Sequence, residues 1–162
     1  MKKIFIAFGA ILFLIVCIWI YGANLPENKK VTVSKEIKAP ADEIWAVMTD
    51  WAAQPEWRDD VKSVKVIDRQ TFIEYPKRGP EIHFKVARLE PSRFLELTLT
   101  GPFNGTYQVT LSEKDGITRV KEEYSLHYLS PFGRILSKVF FDIEEFAEDY
   151  LSKLEQRVTN NK

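Results

Sequence analysis

Thiol, imidazole and glycine-loop chemistry are almost missing from this chain. Of 162 residues one is cysteine, Cys17, and two are histidine, His83 and His127. Cys17 lies within an apolar N-terminal run, so the rest of the chain can hold no disulfide, thiolate metal site or cysteine nucleophile. His83 stands between Ile82 and Phe84, and His127 follows Leu126; the strand period of two turns both imidazoles away from the apolar side. Two isolated histidines without clustered thiols or spaced carboxylates do not make a metal centre, and no cofactor is expected. A glycine-rich phosphate loop and a serine elbow are also missing. So is an excess of either charge. There are 23 basic and 23 acidic residues, and setting aside Lys2 and Lys3 leaves 21 against 23, about minus two. Nucleic acid is therefore not an expected partner, because phosphate binding needs a concentrated positive face.

One long hydrophobic run is present. Residues 4–23 carry no charge, and that is about the length a helix needs to cross a bilayer. Trp19 and Tyr21 fall where an interfacial aromatic belt would lie and spoil a cleavage site near Ala23, while bulky Val16 before Cys17 argues against a lipoprotein signal. The expectation is a single-pass membrane anchor over residues 1–23 and a polar linker over 24–30, with Pro26 stopping the helix. Lys2 and Lys3 lean the N-terminus towards the cytoplasm, which would put the domain at 31–162 outside it.

From Val31 onward the period is two. Val31, Val33 and Ile37 alternate with polar residues until Ala39-Pro40, and Asp42 is placed to cap a short helix through Ile44, Trp45, Val47 and Met48. A second short turn spans the stretch holding Trp51, Pro55 and Trp57. Six further alternating runs follow, around Val64, Phe72, Phe84, Leu97, Tyr107 and Tyr124. They are separated by turn residues such as Asp68, Gly101-Pro102 and Asp115-Gly116. Connections so short predict an antiparallel meander. At the end, Phe132, Ile135, Leu136, Val139, Phe140, Ile143, Phe146, Tyr150, Leu151, Leu154 and Val158 recur at three and four. That spacing predicts one long amphipathic helix over 131–158, capped by Ser130 with Pro131 in its first turn. The expected class is α+β: a curved antiparallel sheet of about seven strands around a long C-terminal helix, with two short helices after the first strand.

That order, together with Val33-Ser34-Lys35-Glu36-Ile37-Lys38-Ala39-Pro40-Ala41-Asp42-Glu43-Ile44-Trp45, Pro55-Glu56-Trp57, Phe103-Asn104-Gly105 and Gly116-Ile117-Thr118-Arg119-Val120, resembles the polyketide cyclase/dehydrase-like branch of the SRPBCC superfamily. The resemblance covers Val31 to the end of the closing helix. It implies the helix-grip fold of START-like lipid-transfer domains, with an apolar cavity between sheet and helix that takes lipids, sterols, polyketides or similar molecules.

Strand parity turns Phe84, Leu97, Tyr107 and Tyr124 towards Phe140 and Ile143, and Trp57 lies in the loop where such folds admit ligand. Glu122 shares parity with Val120 and Tyr124, so a carboxylate points into an apolar interior. Glu74 shares parity with Phe72. Burying either charge costs several kcal/mol unless it is paired, and Arg58 or Arg88 could supply the partner. Glu122 otherwise serves as a polar anchor for a ligand or as a base of raised pKa. Two readings stand: a membrane-tethered binding or transfer domain for a hydrophobic, lipid-like molecule, and a cyclase- or dehydratase-type enzyme working through a cavity carboxylate. The acidic outer side of the closing helix carries no specific interaction signal.

Overall fold

A computed structural model describes the backbone of residues 2–160 and the side chains of residues 11–160. After helix α1 (Lys2–Ala23) come strand β1 (Asn28–Ile37), helix α2 (Ala41–Thr49) and a 3₁₀ turn (Trp51–Glu56). The meander is β2 (Val61–Val66), β3 (Thr71–Pro76), β4 (Ile82–Glu90), β5 (Phe94–Thr100), β6 (Asn104–Lys114) and β7 (Ile117–His127); helices α3 (Pro131–Phe140) and α4 (Ile143–Asn160) close the chain. All seven strands form one antiparallel sheet in the order β1-β7-β6-β5-β4-β3-β2. Each meander strand lies beside its sequence neighbour, and β1 crosses to pair with β7, as the helix-grip arrangement requires.

Alternation decides the buried face. On β7, Thr118, Val120, Glu122, Tyr124 and Leu126 are buried, and Leu95, Leu97 and Leu99 of β5 join them. Ile143, Ala147, Tyr150, Leu151, Leu154 and Val158 of α4 cover this face from the other side. The tight β6–β7 turn has Asp115 and Gly116 both at positive φ, the combination a two-residue hairpin needs.

The chain departs from the expected organisation in four ways. First, β1 starts at Asn28, within the expected linker. Second, Asp42 does not cap α2. The Ala41 N–H donates instead to Glu113 of β6 at 2.8 Å, and the Asp42 carboxylate accepts from Glu43, one residue on.

Third, the closing helix is two helices. Ser130 and Pro131 start α3 as expected, Ser130 Oγ accepting from Gly133 N–H at 3.0 Å. At Phe141 the backbone turns extended, and Asp142 begins α4 by accepting from the Glu144 N–H at 3.0 Å. Phe141 packs on Phe146 with ring centroids 5.5 Å apart. A capping carboxylate flanked by such an apolar pair fixes the entry of a new helix. The apolar period continues through Val139, Phe140 and Ile143 and hides this break.

Fourth, the membrane assignment is overturned. Among the described residues no helix is long and apolar enough to cross a membrane, which corrects the expected single-pass anchor, the membrane as partner and the placement of the domain outside the cytoplasm. Met1 and the side chains of residues 2–8 and 10, part of the expected anchor, lie outside the described residues. The end of the apolar run finds partners within the chain. Arg134 of α3 donates to the carbonyl of Ala23, the last residue of α1, and to that of Leu25 just beyond it, both at 3.4 Å, and to Glu27 at 2.6 Å. Cations are favoured at that end of a helix. Gly22 is buried against α3, where a Cβ would collide with the Pro131 carbonyl.

Candidate functional site

Glu122 is the most deeply enclosed carboxyl group of the described residues, with no exposure to solvent. Register places it on β7 opposite Val33 of β1 and Val109 of β6, so apolar side chains flank it within the sheet. Two phenols hold it. Tyr107 Oη donates to one carboxyl oxygen at 2.6 Å and Tyr124 Oη to the other at 3.1 Å. These tyrosines face each other across β6 and β7, with ring centroids 4.9 Å apart. Burial pushes the Glu122 carboxyl up to about 7, against the opposing pull of the two tyrosine hydrogen bonds and the more distant Arg58 charge. Burial and then the Glu122 charge push Tyr107 and Tyr124 well above the ordinary phenol value, so both remain protonated donors at neutral pH.

A second buried polar group adjoins the first. Arg58, just past the 3₁₀ turn, donates to Glu74 at 2.7 Å, to Asp60 at 2.6 Å and to Gln54 at 2.6 Å. Its guanidinium lies over the rings of Tyr150 and Phe146, at 5.4 and 5.8 Å. Burial opposes the Arg58 charge, but Glu74 and Asp60 overcome it and hold the group above its usual range. The partner of Glu74 is thus Arg58; Arg88 sits at the surface, paired with Glu90. Tyr150 of α4 links the two groups, its own proton held more tightly by burial and then by the Glu122 charge.

The site residues expected from parity divide into three sets. Tyr107, Glu122 and Tyr124 meet directly, and Leu97 and Ile143 are buried in the same core. Phe84 and Trp57 border it. Phe84 stacks on Phe72 at 4.8 Å, and Phe72 on Trp51 at 4.4 Å; Trp57 tilts against Tyr150 at 5.4 Å, and its buried indole N–H has no hydrogen-bond partner among the described residues. Phe140 does not belong. It is 78 % exposed at the end of α3, beside Cys17, Ile18 and Tyr21 of α1, because the break at Phe141 lets α3 turn its apolar side to α1. Both histidines stay off the apolar face: His83 is exposed beside Glu81, and His127 bonds Asn28. Tyr150 and Phe146 were legible as part of the α4 stripe but not as site residues, since helical spacing cannot tell a lining ring from a packed one. Rings of Phe141, Phe146 and Tyr124 form a continuous line, 5.5 and 6.4 Å between centroids, from the helix break to Glu122.

The sequence matches the profile of the family described as polyketide cyclase / dehydrase and lipid transport over residues 28–159. The chain belongs to that family. Comparison with curated protein sequences found no match. Solved structures share the fold at low identity. A START superfamily protein from Mycobacterium smegmatis is 15 % identical with a TM-score of 0.67, covering 82 % of this chain and 99 % of its own. The Zhui aromatase/cyclase from a Streptomyces species is 14 % identical with a TM-score of 0.71, covering 82 % and 94 %. A norcoclaurine synthase point mutant from Thalictrum flavum, in complex with a transition-state analogue, is 13 % identical with a TM-score of 0.65, covering 83 % and 96 %. The chain is thus a member of the polyketide cyclase / dehydrase and lipid transport family with a START-like, helix-grip fold.

Proposed function

We propose that this domain binds a neutral or weakly polar, lipid-like molecule between its sheet and α4, with Glu122 as the polar partner of the ligand. The observation that carries this reading is the placement of a single carboxyl, held by Tyr107 and Tyr124, at the inner end of the ring line from Phe141 through Phe146. Binding sites for such molecules are mostly apolar with a few convergent polar groups. Phe141 and Phe146 lie where α3 ends and α4 begins, so displacing their rings opens a path to Tyr124 without unpairing a strand. The indole N–H of Trp57, buried without a partner among the described residues beside Tyr150, offers a further donor.

The test is binding of fatty acids and sterols to the full chain, with native mass spectrometry of the purified protein to identify what it carries. Glu122→Gln should change the preference among ligand head groups and leave apolar affinity within about three-fold, because only a charge and its hydrogen bonding are altered. Failure of the folded chain to take up any hydrophobic probe refutes the reading.

One observation favours proton transfer instead. A carboxyl that titrates near 7 matches the requirement for a general base at neutral pH, and the two phenols beside it could donate to a developing enolate oxygen. Turnover of a polyketide-like ketone, abolished in Glu122→Gln, would establish a cyclase- or dehydratase-type enzyme in place of a passive binder.

A further inference from the structure

The two edges of the sheet differ. At one end β2 is six residues long, has a bulge between Val61 and Ser63, and follows directly on the 3₁₀ turn that packs beside it. At the other end β1 is ten residues long, and its pairing with β7 runs without a register shift from Asn28 to Ile37. Bulges and short strands are the usual means of blunting an edge; β1 has neither.

The register determines which of its backbone groups are unused. The two-residue turn at Asp115-Gly116 makes Lys114 and Ile117 a hydrogen-bonded pair, so odd residues of β7 bond to β6 and even ones to β1. The bond from Tyr128 N–H to the Glu27 carbonyl follows the same rule. Even residues of β7 pair with odd residues of β1. The N–H and C=O groups of Lys30, Thr32, Ser34 and Glu36 therefore point out of the sheet. Those of Thr32 and Ser34 lie at a groove of about 440 Å³ between β1 and α4, lined by residues 32–35 and by Glu144, Glu148, Leu151 and Ser152. That length of β1 matches about four residues of extended chain at ~3.4 Å each.

The far wall is charged. Lys35 reaches across from β1 to Glu155 at 2.8 Å and Ser152 at 3.2 Å, which neutralises Glu155. Glu144 and Glu148, four apart on one face of α4, have no cation paired with them among the described residues. We infer that the free edge of β1 is a docking site for an extended basic peptide segment, which adds to the sheet as an eighth strand through Thr32 and Ser34. Its alternate side chains point towards α4. Lysine or arginine at those positions meets Glu144 and Glu148, as Lys35 already meets Glu155 from the neighbouring strand.

The experiment titrates the full isotope-labelled chain with three blocked six-residue peptides: alternating lysine and valine, alternating glutamate and valine, and the lysine peptide with its backbone amides N-methylated. Expected are shifts of the Thr32 and Ser34 amide resonances with the lysine peptide. N-methylation should weaken binding by about ten-fold or more, and Glu144→Gln and Glu148→Gln by about two- to five-fold each. Ser34→Pro removes one outward donor without touching the β7 ladder and should also abolish binding; the methylated peptide gives the same information if that variant does not fold. Equal affinity for the glutamate peptide, equal affinity for the methylated one, or unshifted Thr32 and Ser34 amides would each overturn the inference. So would concentration-dependent shifts of those amides without peptide, which would make the occupant a second copy of this chain.

Discussion

At the scale of single residues the decisive group is Glu122. An unfolded chain releases its proton near 4.5, whereas burial holds the proton to about 7 in the folded state. The folded chain therefore binds more protons between those values. The stability this group contributes is complete below pH 4.5 and falls by ~3 kcal/mol as pH rises to 7. Denaturant unfolding at several pH values should show that decline in the wild type and a flatter profile in Glu122→Gln; identical slopes would mean that the carboxyl is not enclosed. Arg58 and Glu74 set a different expectation, since both are nearly fully buried and partnered. Removing one half of such a pair strands the other, and Glu74→Leu should cost about 3 to 5 kcal/mol in the same assay. Parity alone revealed that Glu122 and Glu74 point inwards. The choice between partners lay beyond it: Arg58 follows an irregular turn, where no period says which way a side chain faces.

Among the elements, the strands were the most legible, because alternation runs through most of them and turn residues separate them; it lapses only at the bulges of β2, between Val61 and Ser63, and β4, between Val86 and Arg88. The closing helix reads as continuous in the sequence, whereas the chain forms two helices. Its apolar spacing runs unbroken across residues 139–143, although Asp142 with Glu145 three residues later is a helix-start pattern and Phe141 with Phe146 supplies its apolar staple. Periodicity records that a residue is covered, not what covers it, and α3 is covered by α1 rather than by the sheet. A pair of substitutions separates the two helices. Phe140→Ala should cost less than ~1 kcal/mol, as its ring is largely exposed, whereas Leu154→Ala, with no exposure, should cost about 2 to 5 kcal/mol. Asp142→Ala should lose ~1 kcal/mol through the missing cap, and amide exchange should rise in the first turn of α4 before it rises elsewhere.

For the molecule as a whole, the sheet and α4 form the closed unit, and α1 attaches to it through α3 and the Arg134 bonds to the carbonyls of Ala23 at its end and Leu25 just past it. The proposed interior site beside Glu122 is thus separate from the surface groove of about 480 Å³ lined by Cys17, Ile18, Tyr21, Phe132, Ile135, Leu136 and Phe140, which an apolar probe could also enter. Dye uptake alone does not distinguish them. The most direct measurement is a methyl-resolved NMR titration of the full chain with an environment-sensitive apolar dye. Binding between sheet and helix predicts saturable uptake of about one dye per chain, with shifts at the Leu97 and Ile143 methyl groups, and a changed head-group preference in Glu122→Gln. Shifts confined to Ile18, Ile135 and Leu136, with Leu97 and Ile143 unmoved at saturation, would contradict the account.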